Sequence, residues 1–327
     1  MAKITLGLGT SHSPNLNIGP ELWAQRGQED HQHPMLYRIP DGVHVSYDEL
    51  LEDADPAIAK EITPDVFQRR FEANERGINT IAETLAAADP DILIMVGDDQ
   101  KEVFQDDNMP ALAIYYGDEI PYFPRPERGG GETGRVAMNY YPKETIQFPA
   151  ASDLALHMIN SFVEQGIDTA HSRYFREGQP VGHAFVFVYH RIMQRKPIPV
   201  VLMMQNTYYP PAQPTPKRSY ESGVAIRNAV ESWNSSAKVA VIASGGLSHF
   251  VVDEELDRMT LKAMKEKDVA TLTTLPRQRM QAGSSEIRNW LTVAGAMEHL
   301  DLDVIDYVPC YRSAAGTGCG MGFARWN

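Results

Sequence analysis

The sequence has few cysteines, few basic residues relative to acidic ones, and no long apolar run. Its two cysteines, Cys310 and Cys319, lie near the C-terminus and form neither a CxxC pair nor a metal-knuckle spacing. A disulfide framework is therefore not expected, and a reducing cytoplasm is the simplest location. The first apolar stretch, Ile4 to Leu8, is too short for a signal peptide or a membrane span.

The shortage of basic side chains limits the partners of this chain. Thirty Lys and Arg against 43 Asp and Glu give a formal net charge of −13, and the sequence pI is about 5.2. No run of Lys or Arg offsets this balance, so a nucleic-acid partner is not expected. The 327 residues show no internal repeat or low-complexity linker, and they suffice for one large core. We predict a single domain over residues 1–327.

Short apolar runs alternate with helix-period segments along the chain. The runs predict strands at 4–8, 92–96, 110–116, 198–204, 239–243 and 304–308. The segments between them predict helices at 65–88, 151–165, 184–193, 217–233, 253–267 and 285–300. No strand is predicted in the glycine-rich stretch 316–325. Continuous apolar strands are typical of a sheet covered on both faces, so we predict an α/β fold, a three-layer α/β/α with a central mixed sheet.

An insertion at about residues 19–64 separates the first strand from the first long helix. It is polar and acidic, and five prolines interrupt it. It also carries apolar and aromatic side chains, including Trp23, Leu36 and Tyr37. These residues favour a segment that folds over a site, and we predict that the insertion acts as a lid.

Polar side chains follow the predicted strands where the strands end. His12 follows the first strand, Asp98 to Gln100 follow the second, and His249 follows the strand at 239–243 through a Ser-Gly-Gly-Leu-Ser turn. Glu286 begins the last predicted helix. Ligands and chemistry collect at the carboxyl ends of strands, and two histidines with one carboxylate are the usual ligands of a non-haem Fe(II) centre. A turn histidine and a carboxylate that favours the helix dipole are the simpler interpretations, and both stay open.

Other histidines have simpler roles. His183 precedes an apolar helix and is typical of a buried histidine whose hydrogen bonds are satisfied. His31 and His33 lie in the polar insertion, where solvated histidines are common.

Several short motifs, taken in order, cover nearly the whole chain. They are Thr10-Ser11-His12-Ser13-Pro14, Gly97 to Phe104, Val181-Gly182-His183, Tyr209-Pro210-Pro211 followed by Lys217-Arg218, Ser244-Gly245-Gly246-Leu247-Ser248-His249 and Gly283-Ser284-Ser285-Glu286. Together they resemble the class III extradiol ring-cleavage dioxygenases, the family of the catalytic β subunit of protocatechuate 4,5-dioxygenase. Within that family the chain is most similar to the 3-O-methylgallate dioxygenase branch.

The resemblance implies roles for individual residues. His12 matches the first iron-ligand histidine, Glu286 the carboxylate ligand, His249 the acid/base histidine and His183 a pocket histidine that contacts substrate. The family's second ligand histidine lies in an Asn-Asp-His-x-x-x-Phe motif, and Gln100 stands at that position here. We place Gln100 in the metal set with His12 and Glu286. The ligand role passing instead to Asp98, Asp99 or His44 stays open.

The implied function is an Fe(II)-dependent extradiol dioxygenase that cleaves a catechol or gallate-type aromatic acid, such as 3-O-methylgallate, with O2. Arg218 or Lys217 is a candidate to hold a ring carboxylate. We further expect a homo-oligomer, a dimer, and from the charge balance and the short apolar runs no nucleic-acid or membrane partner. Two alternatives remain open: a non-catalytic partner or binding subunit that has lost a metal ligand, and a metal-dependent hydrolase or lyase on the same fold.

Overall fold

The computed structural model of the chain describes residues 1–124, 131–137, 139, 141–176, 178–179 and 181–327. Within these residues the strands are β1 (Lys3–Thr10), β2 (Ile92–Asp98), β3 (Leu112–Tyr115), β4 (Glu119–Tyr122), β5 (Ile146–Pro149), β6 (Ala170–Ser172), β7 (Val200–Gln205), β8 (Lys238–Ser244), β9 (His249–Val251), β10 (Leu302–Tyr311) and β11 (Thr317–Trp326). The α-helices are α1 (Trp23–Glu29), α2 (Tyr47–Asp53), α3 (Pro64–Ala88), α4 (Glu132–Ala137), α5 (Ser152–Glu164), α6 (His183–Phe187), α7 (Pro216–Ser232), α8 (Glu254–Lys265), α9 (Val269–Thr273) and α10 (Ile287–Ala296).

The strands form one large mixed sheet in the order β10-β11-β1-β8-β2-β7-β3-β6, and β9 pairs with β11 beside this path. Its centre, β1-β8-β2-β7, is parallel throughout. The carboxyl ends of these four strands therefore meet at one edge, although the strands are far apart in sequence. β4 and β5 form a separate two-stranded antiparallel sheet.

Both faces of the sheet are covered, as β2 illustrates. Ile92 and Ile94 pack into a core with α5, α7 and α10, whereas Leu93 and Met95 pack into the opposite core with α3 and α6. Every residue of β2 is buried. The predicted α/β fold with a central mixed sheet flanked by helices is confirmed.

The long helices and the apolar strands lie where the sequence predicts them, with their ends shifted by a few residues. Thr63 caps α3 by accepting the Val66 amide proton, and Pro64 occupies the first helical position. The helix predicted at 184–193 is divided, since α6 ends at Phe187 and a π-turn, Val188–Ile192, follows it. No side chain caps α10.

The glycine-rich stretch is a strand, and the prediction without one was wrong. β11 pairs with β1, β9 and β10, so it lies inside the sheet. Glycine is normally depleted in strands, but here it makes room for neighbours. A Cβ on Gly320 would lie 2.0 Å from Asp257 Oδ2, and one on Gly322 would lie 3.0 Å from a Leu247 methyl carbon.

The insertion packs against the end of the sheet that carries β9. Leu36, Tyr47 and Leu50 form a small apolar cluster with Ala315. The His33 ring lies 3.9 Å from the Phe250 ring, centroid to centroid. The insertion thus covers the segment that carries His249. Among the described residues, no helix is both long and apolar enough to cross a bilayer.

Candidate active site at the strand ends

The carboxyl-terminal edge of the parallel strands brings together side chains from six parts of the chain. His12 follows β1, Asp98 ends β2, Tyr208 follows β7, His249 follows β8, His183 begins α6 and Glu286 precedes α10. All six are buried. The sequence prediction that polar groups from different strand ends converge is supported by this arrangement.

His12 presents a lone pair to two carboxylates. The Ser244 hydroxyl donates to the Ala184 carbonyl at 2.7 Å, so its oxygen accepts the Nδ1 proton of His12 at 3.1 Å. Nε2 is then unprotonated, and it lies 3.4 Å from Glu286 Oε2 and 3.9 Å from Asp98 Oδ1. Burial, together with the neighbouring His183 and His249, lowers the pKa of His12 to about 3. A neutral imidazole held by its other nitrogen is the form that ligates metals.

Glu286 lies between His12 and His249. Its Oε2 accepts the Gly246 amide proton at 2.7 Å. Its Oε1 accepts the Tyr208 hydroxyl at 2.8 Å and lies 3.1 Å from His249 Nε2. One carboxylate therefore contacts His12 through one oxygen and His249 through the other.

His249 is held in one orientation. Its Nδ1 donates to the Leu247 carbonyl at 3.0 Å, which directs Nε2 towards Glu286. Burial by itself lowers the pKa of His249, but the Glu286 carboxylate overrides it and raises this pKa to about 9 in the metal-free protein. The ring lies against two glycines, since a Cβ on Gly246 would come within 2.5 Å of it and one on Gly283 within 2.0 Å. The glycines of the turn thus leave space for the imidazole.

His183 is bound by a carboxylate from the loop after β2. Both its backbone amide and its Nδ1 contact Glu102, at 3.1 and 3.0 Å. Although burial lowers its pKa, Glu102 raises it to about 9. Nδ1 is engaged, so Nε2 is the atom available to the site. Ligand atoms of His12, Asp98 and His183 lie within 4.8 Å of one another.

Comparison with known proteins places this chain in a family. A model of the catalytic LigB subunit of aromatic ring-opening dioxygenase matches residues 55–317. The chain belongs to this family. The family resemblance found in the sequence is confirmed. A gallate dioxygenase of Pseudomonas putida is 27% identical over 169 residues, which are 48% of this chain and 48% of that protein. The match thus spans about half the length of that relative.

In this LigB-family chain Gln100 stands where the expected motif has a histidine. The structure shows where the residues considered as a replacement for that histidine lie. Gln100 Nε2 donates to Asp98 Oδ2 at 3.0 Å and to Glu286 Oε1 at 3.2 Å. Asp99 points elsewhere, because its carboxylate accepts the backbone amides of Val103 and Phe104 at 2.8 and 3.0 Å. His44 is exposed, and its Nε2 contacts the Pro34 carbonyl at 2.8 Å. Neither Asp99 nor His44 joins the cluster.

Three residues near the site were not identified from the sequence. Tyr208 follows β7, so the same strand-end signal that found His12 could have found it. Glu102 and His33 had no such signal, since their neighbours come from distant segments. His33 was interpreted as a solvated loop histidine, but it is largely buried, and burial lowers its pKa to about 4.

The two basic residues considered for a substrate carboxylate lie away from the cluster. Lys217 and Arg218 are 69% and 45% exposed, and each lies 3.7 Å from Glu221 on the first turns of α7. Their contacts are those of an exposed helix face.

Proposed function

We propose that this protein is an Fe(II)-dependent extradiol dioxygenase that opens the ring of a catechol or gallate-type aromatic acid with O2. One observation carries the proposal. The buried Glu286 carboxylate lies 3.4 Å from the unprotonated Nε2 of His12 and 3.1 Å from Nε2 of His249. A metal-binding pair thus shares a carboxylate with a residue able to transfer protons.

The donor set fits a divalent cation. His12 directs a lone pair at two carboxylates, and imidazole with carboxylate oxygen is the ligand chemistry of non-haem Fe(II) centres. His12 and Glu286 are the ligands assigned here, and they leave room for substrate and O2. When bound, Fe(II) supplies the Lewis acidity that lowers the pKa of vicinal hydroxyls, together with the redox chemistry of O2.

His249 is the proposed acid/base residue. Its Nδ1 proton is held by the Leu247 carbonyl, so proton exchange takes place at Nε2. In the metal-free protein the Glu286 carboxylate holds a proton on this imidazole. With Glu286 engaged as a metal ligand, its attraction for this proton would be weaker, and the pKa of His249 would lie nearer neutrality. His249 then takes a phenolic proton from the substrate and returns one to the product.

His183 and Glu102 form the proposed substrate-orienting pair. The contact with Glu102 turns His183 Nε2 towards the cluster. From there the imidazole donates a hydrogen bond to a substrate oxygen as negative charge develops on it. Glu102 positions this histidine and does not itself contact the substrate.

The insertion is the proposed lid. The cavity between it and His249 is lined by Tyr37, Phe250 and Ser284, among others, and has a volume of about 20 Å³. That volume holds about one water. An aromatic acid therefore requires the insertion to move outwards for entry, and its return excludes water from the reacting groups.

The similar relative and the site both support the proposed substrate class. The similar Pseudomonas putida protein is a gallate dioxygenase, and a hydroxylated aromatic acid suits a centre with open positions beside an acid/base histidine. We further propose, on the family resemblance, that the protein acts as a cytoplasmic homodimer.

Oxygen uptake tests the proposed function. Apo protein is loaded anaerobically with Fe(II) and then given O2 with a panel of catechols and gallates, including 3-O-methylgallate. We expect uptake equal to substrate consumed and a yellow ring-opened product. No uptake with any member of the panel, on folded and iron-loaded protein, contradicts the proposal. Turnover without O2 indicates a hydrolase or lyase instead.

The His249→Ala variant tests the proposed acid/base role of this residue. We expect it to lose about 10²- to 10⁴-fold in turnover, the usual contribution of a general acid/base residue. Its iron content should stay close to that of the wild type. Loss of the iron would make His249 a ligand.

A further inference from the structure

The carboxylate of Asp98 lies where a second protein ligand is needed. Asp98 ends β2, and β2 is separated from β1 only by β8, so its side chain emerges beside His12. It is fully buried. Its Oδ1 lies 3.9 Å from His12 Nε2, and it belongs with His12 and His183 to the group whose ligand atoms all lie within 4.8 Å of one another.

Gln100 forms a hydrogen bond with the Asp98 carboxyl group. Its amide nitrogen donates both to Asp98 Oδ2 and to Glu286 Oε1. Nitrogen is the atom expected at this position, because the ionised Glu286 carboxylate only accepts hydrogen bonds. Gln100 thus turns its amide nitrogen to the two carboxyl groups, whereas an amide ligates metals through its oxygen. Gln100 therefore bridges two carboxylates and holds their spacing.

We propose that Asp98 is the metal ligand that takes the place of the family's second histidine, and that Gln100 is a positioning residue for Asp98 and Glu286. The proposal rests on the metal centre of the proposed function but not on its reaction. It revises the metal set expected from the sequence, in which Gln100 was a ligand. The centre then contains two carboxylates, Asp98 and Glu286, with His12.

The extra carboxylate alters which cation the site prefers. A second oxygen anion in place of a neutral imidazole makes the donor set harder, and hard donors favour Mn(II) relative to Fe(II) compared with an imidazole-rich set. Two carboxylates also balance the charge of a divalent cation. We expect Mn(II) to compete with Fe(II) for this site more strongly in the wild type than in an Asp98→His variant.

Metal binding by the apo protein tests the assignment without O2 or substrate. Anaerobic titration with Fe(II) and with Mn(II) against a chelator of known affinity is measured for wild type, Asp98→Asn, Gln100→Met and Asp107→Asn. We expect Asp98→Asn to lose more than about 100-fold in affinity and Gln100→Met about 10- to 100-fold, the usual effect of removing a group that supports a ligand. Asp107, an exposed carboxylate of the same loop, is the matched control and should not change affinity.

Thermal unfolding of the apo proteins separates a ligand from a structural carboxylate. Asparagine keeps the size of the Asp98 side chain and one oxygen that accepts hydrogen bonds, so the metal-free fold should change little. Apo Asp98→Asn should melt close to the wild-type temperature, while its rise in melting temperature on adding Mn(II) should be smaller. A structural role predicts the reverse, a lower apo melting temperature with metal affinity unchanged.

Three results overturn the proposal. They are metal affinity in Asp98→Asn equal to that of the wild type, a loss in Gln100→Met as large as that in Asp98→Asn, and a wild-type protein that binds neither metal. A wild type that binds metal through Asp98 but takes up no O2 with any aromatic contradicts the proposed function and leaves this ligand assignment standing. The two failures are thus distinguishable.

Discussion

The Tyr208 hydroxyl donates to Glu286 Oε1 at 2.8 Å and lies 3.4 Å from His249 Nε2. Tyr208 and His249 therefore share one oxygen of the carboxylate. Burial, followed by the charges of Glu286 and Asp98, raises the pKa of Tyr208 well above its ordinary value. The tyrosine stays protonated and acts as a donor throughout the physiological range.

Replacing Tyr208 with phenylalanine removes this donor with little change in shape. Glu286 Oε1 then interacts more strongly with His249, which disturbs proton transfer more than metal binding. We expect turnover to fall about tenfold, the value of one hydrogen bond to a charged group, with metal affinity within a few-fold of the wild type. Steady-state O2 uptake measures the turnover, and metal titration measures the metal affinity. Equal turnover in variant and wild type would show that the contact has no role in the reaction.

The pairing of His183 with Glu102 makes the stability of the metal-free protein depend on pH. The pKa of His183 is raised from 6.5 to about 9 in the folded state. Below about pH 6.5 the imidazole is protonated in both states, and the pair stabilises the fold fully. As the pH rises from 6.5 to about 9, this stabilisation is lost. We expect the free energy of unfolding, measured in urea with a chelator present, to fall across that window.

A Glu102→Gln variant checks this dependence. Without the Glu102 carboxylate, burial lowers the pKa of His183 and is opposed only by the charges of Asp98 and Glu286. The variant should be less stable than the wild type near pH 6, with the difference closing towards pH 9. Glu164→Gln, at an exposed position of α5, is the control and should follow the wild-type curve. A difference that is constant with pH would mean that His183 is not protonated by this contact.

Gly283 leaves the space that the His249 ring occupies. A Cβ at this position would lie 2.0 Å from His249 Cδ2, so alanine must displace the imidazole. Misplacing a catalytic group by about 1 Å costs roughly 100-fold in rate. We expect that loss in kcat for Gly283→Ala, with metal affinity changed much less. Gly134→Ala on α4 is the matched control, because the nearest atom to its Cβ is 3.8 Å away. Wild-type kcat in Gly283→Ala would place the reacting imidazole elsewhere.

A buried ion pair fastens the insertion to the sheet. Asp30 of the insertion binds Arg312, at the end of β10, through two hydrogen bonds of 2.5 and 3.0 Å, and both side chains are almost fully buried. Asp30→Asn leaves the guanidinium buried without its partner charge, so we expect a loss of about 3–5 kcal/mol in unfolding free energy. The double variant Asp30→Leu with Arg312→Met should recover most of it. Chemical denaturation of the wild type, Asp30→Leu, Arg312→Met and the double variant gives the coupling, and additive losses would show that the pair does not act as a unit.

The sequence was most informative where a side chain lies at the end of an apolar strand. His12 and His249 were found this way, since a run of buried residues followed by glycine or a small polar turn predicts both the strand and its end. The same signal at Tyr208 was not used, because Tyr208-Tyr209-Pro210-Pro211 also has the composition of an ordinary turn. Glu102 and His33 could not be found from sequence, because each gains its role from a contact between segments far apart in the chain.

The glycine-rich strand β11 shows a limit of local propensity. Its composition argues against a strand, and what stabilises it is pairing with β1, β9 and β10 together with close packing on Asp257 and Leu247. These partners are set by the tertiary structure. Strand propensity is measured in other host proteins, whose neighbouring side chains differ from these. It therefore predicted no strand for this stretch.

The sequence by itself determined the α/β architecture and the family, because the apolar period and the ordered motifs are local. It also placed Asp98, Asp99 and Gln100 at the end of β2. Only the tertiary structure decided among them. β2 ends at Asp98, and in the loop beyond it Gln100 turns towards Asp98 and Glu286, while the Asp99 carboxylate accepts the backbone amides of Val103 and Phe104. Which group then lies nearest to His12 depends on β8 standing between β1 and β2, an order of strands that no local pattern contains.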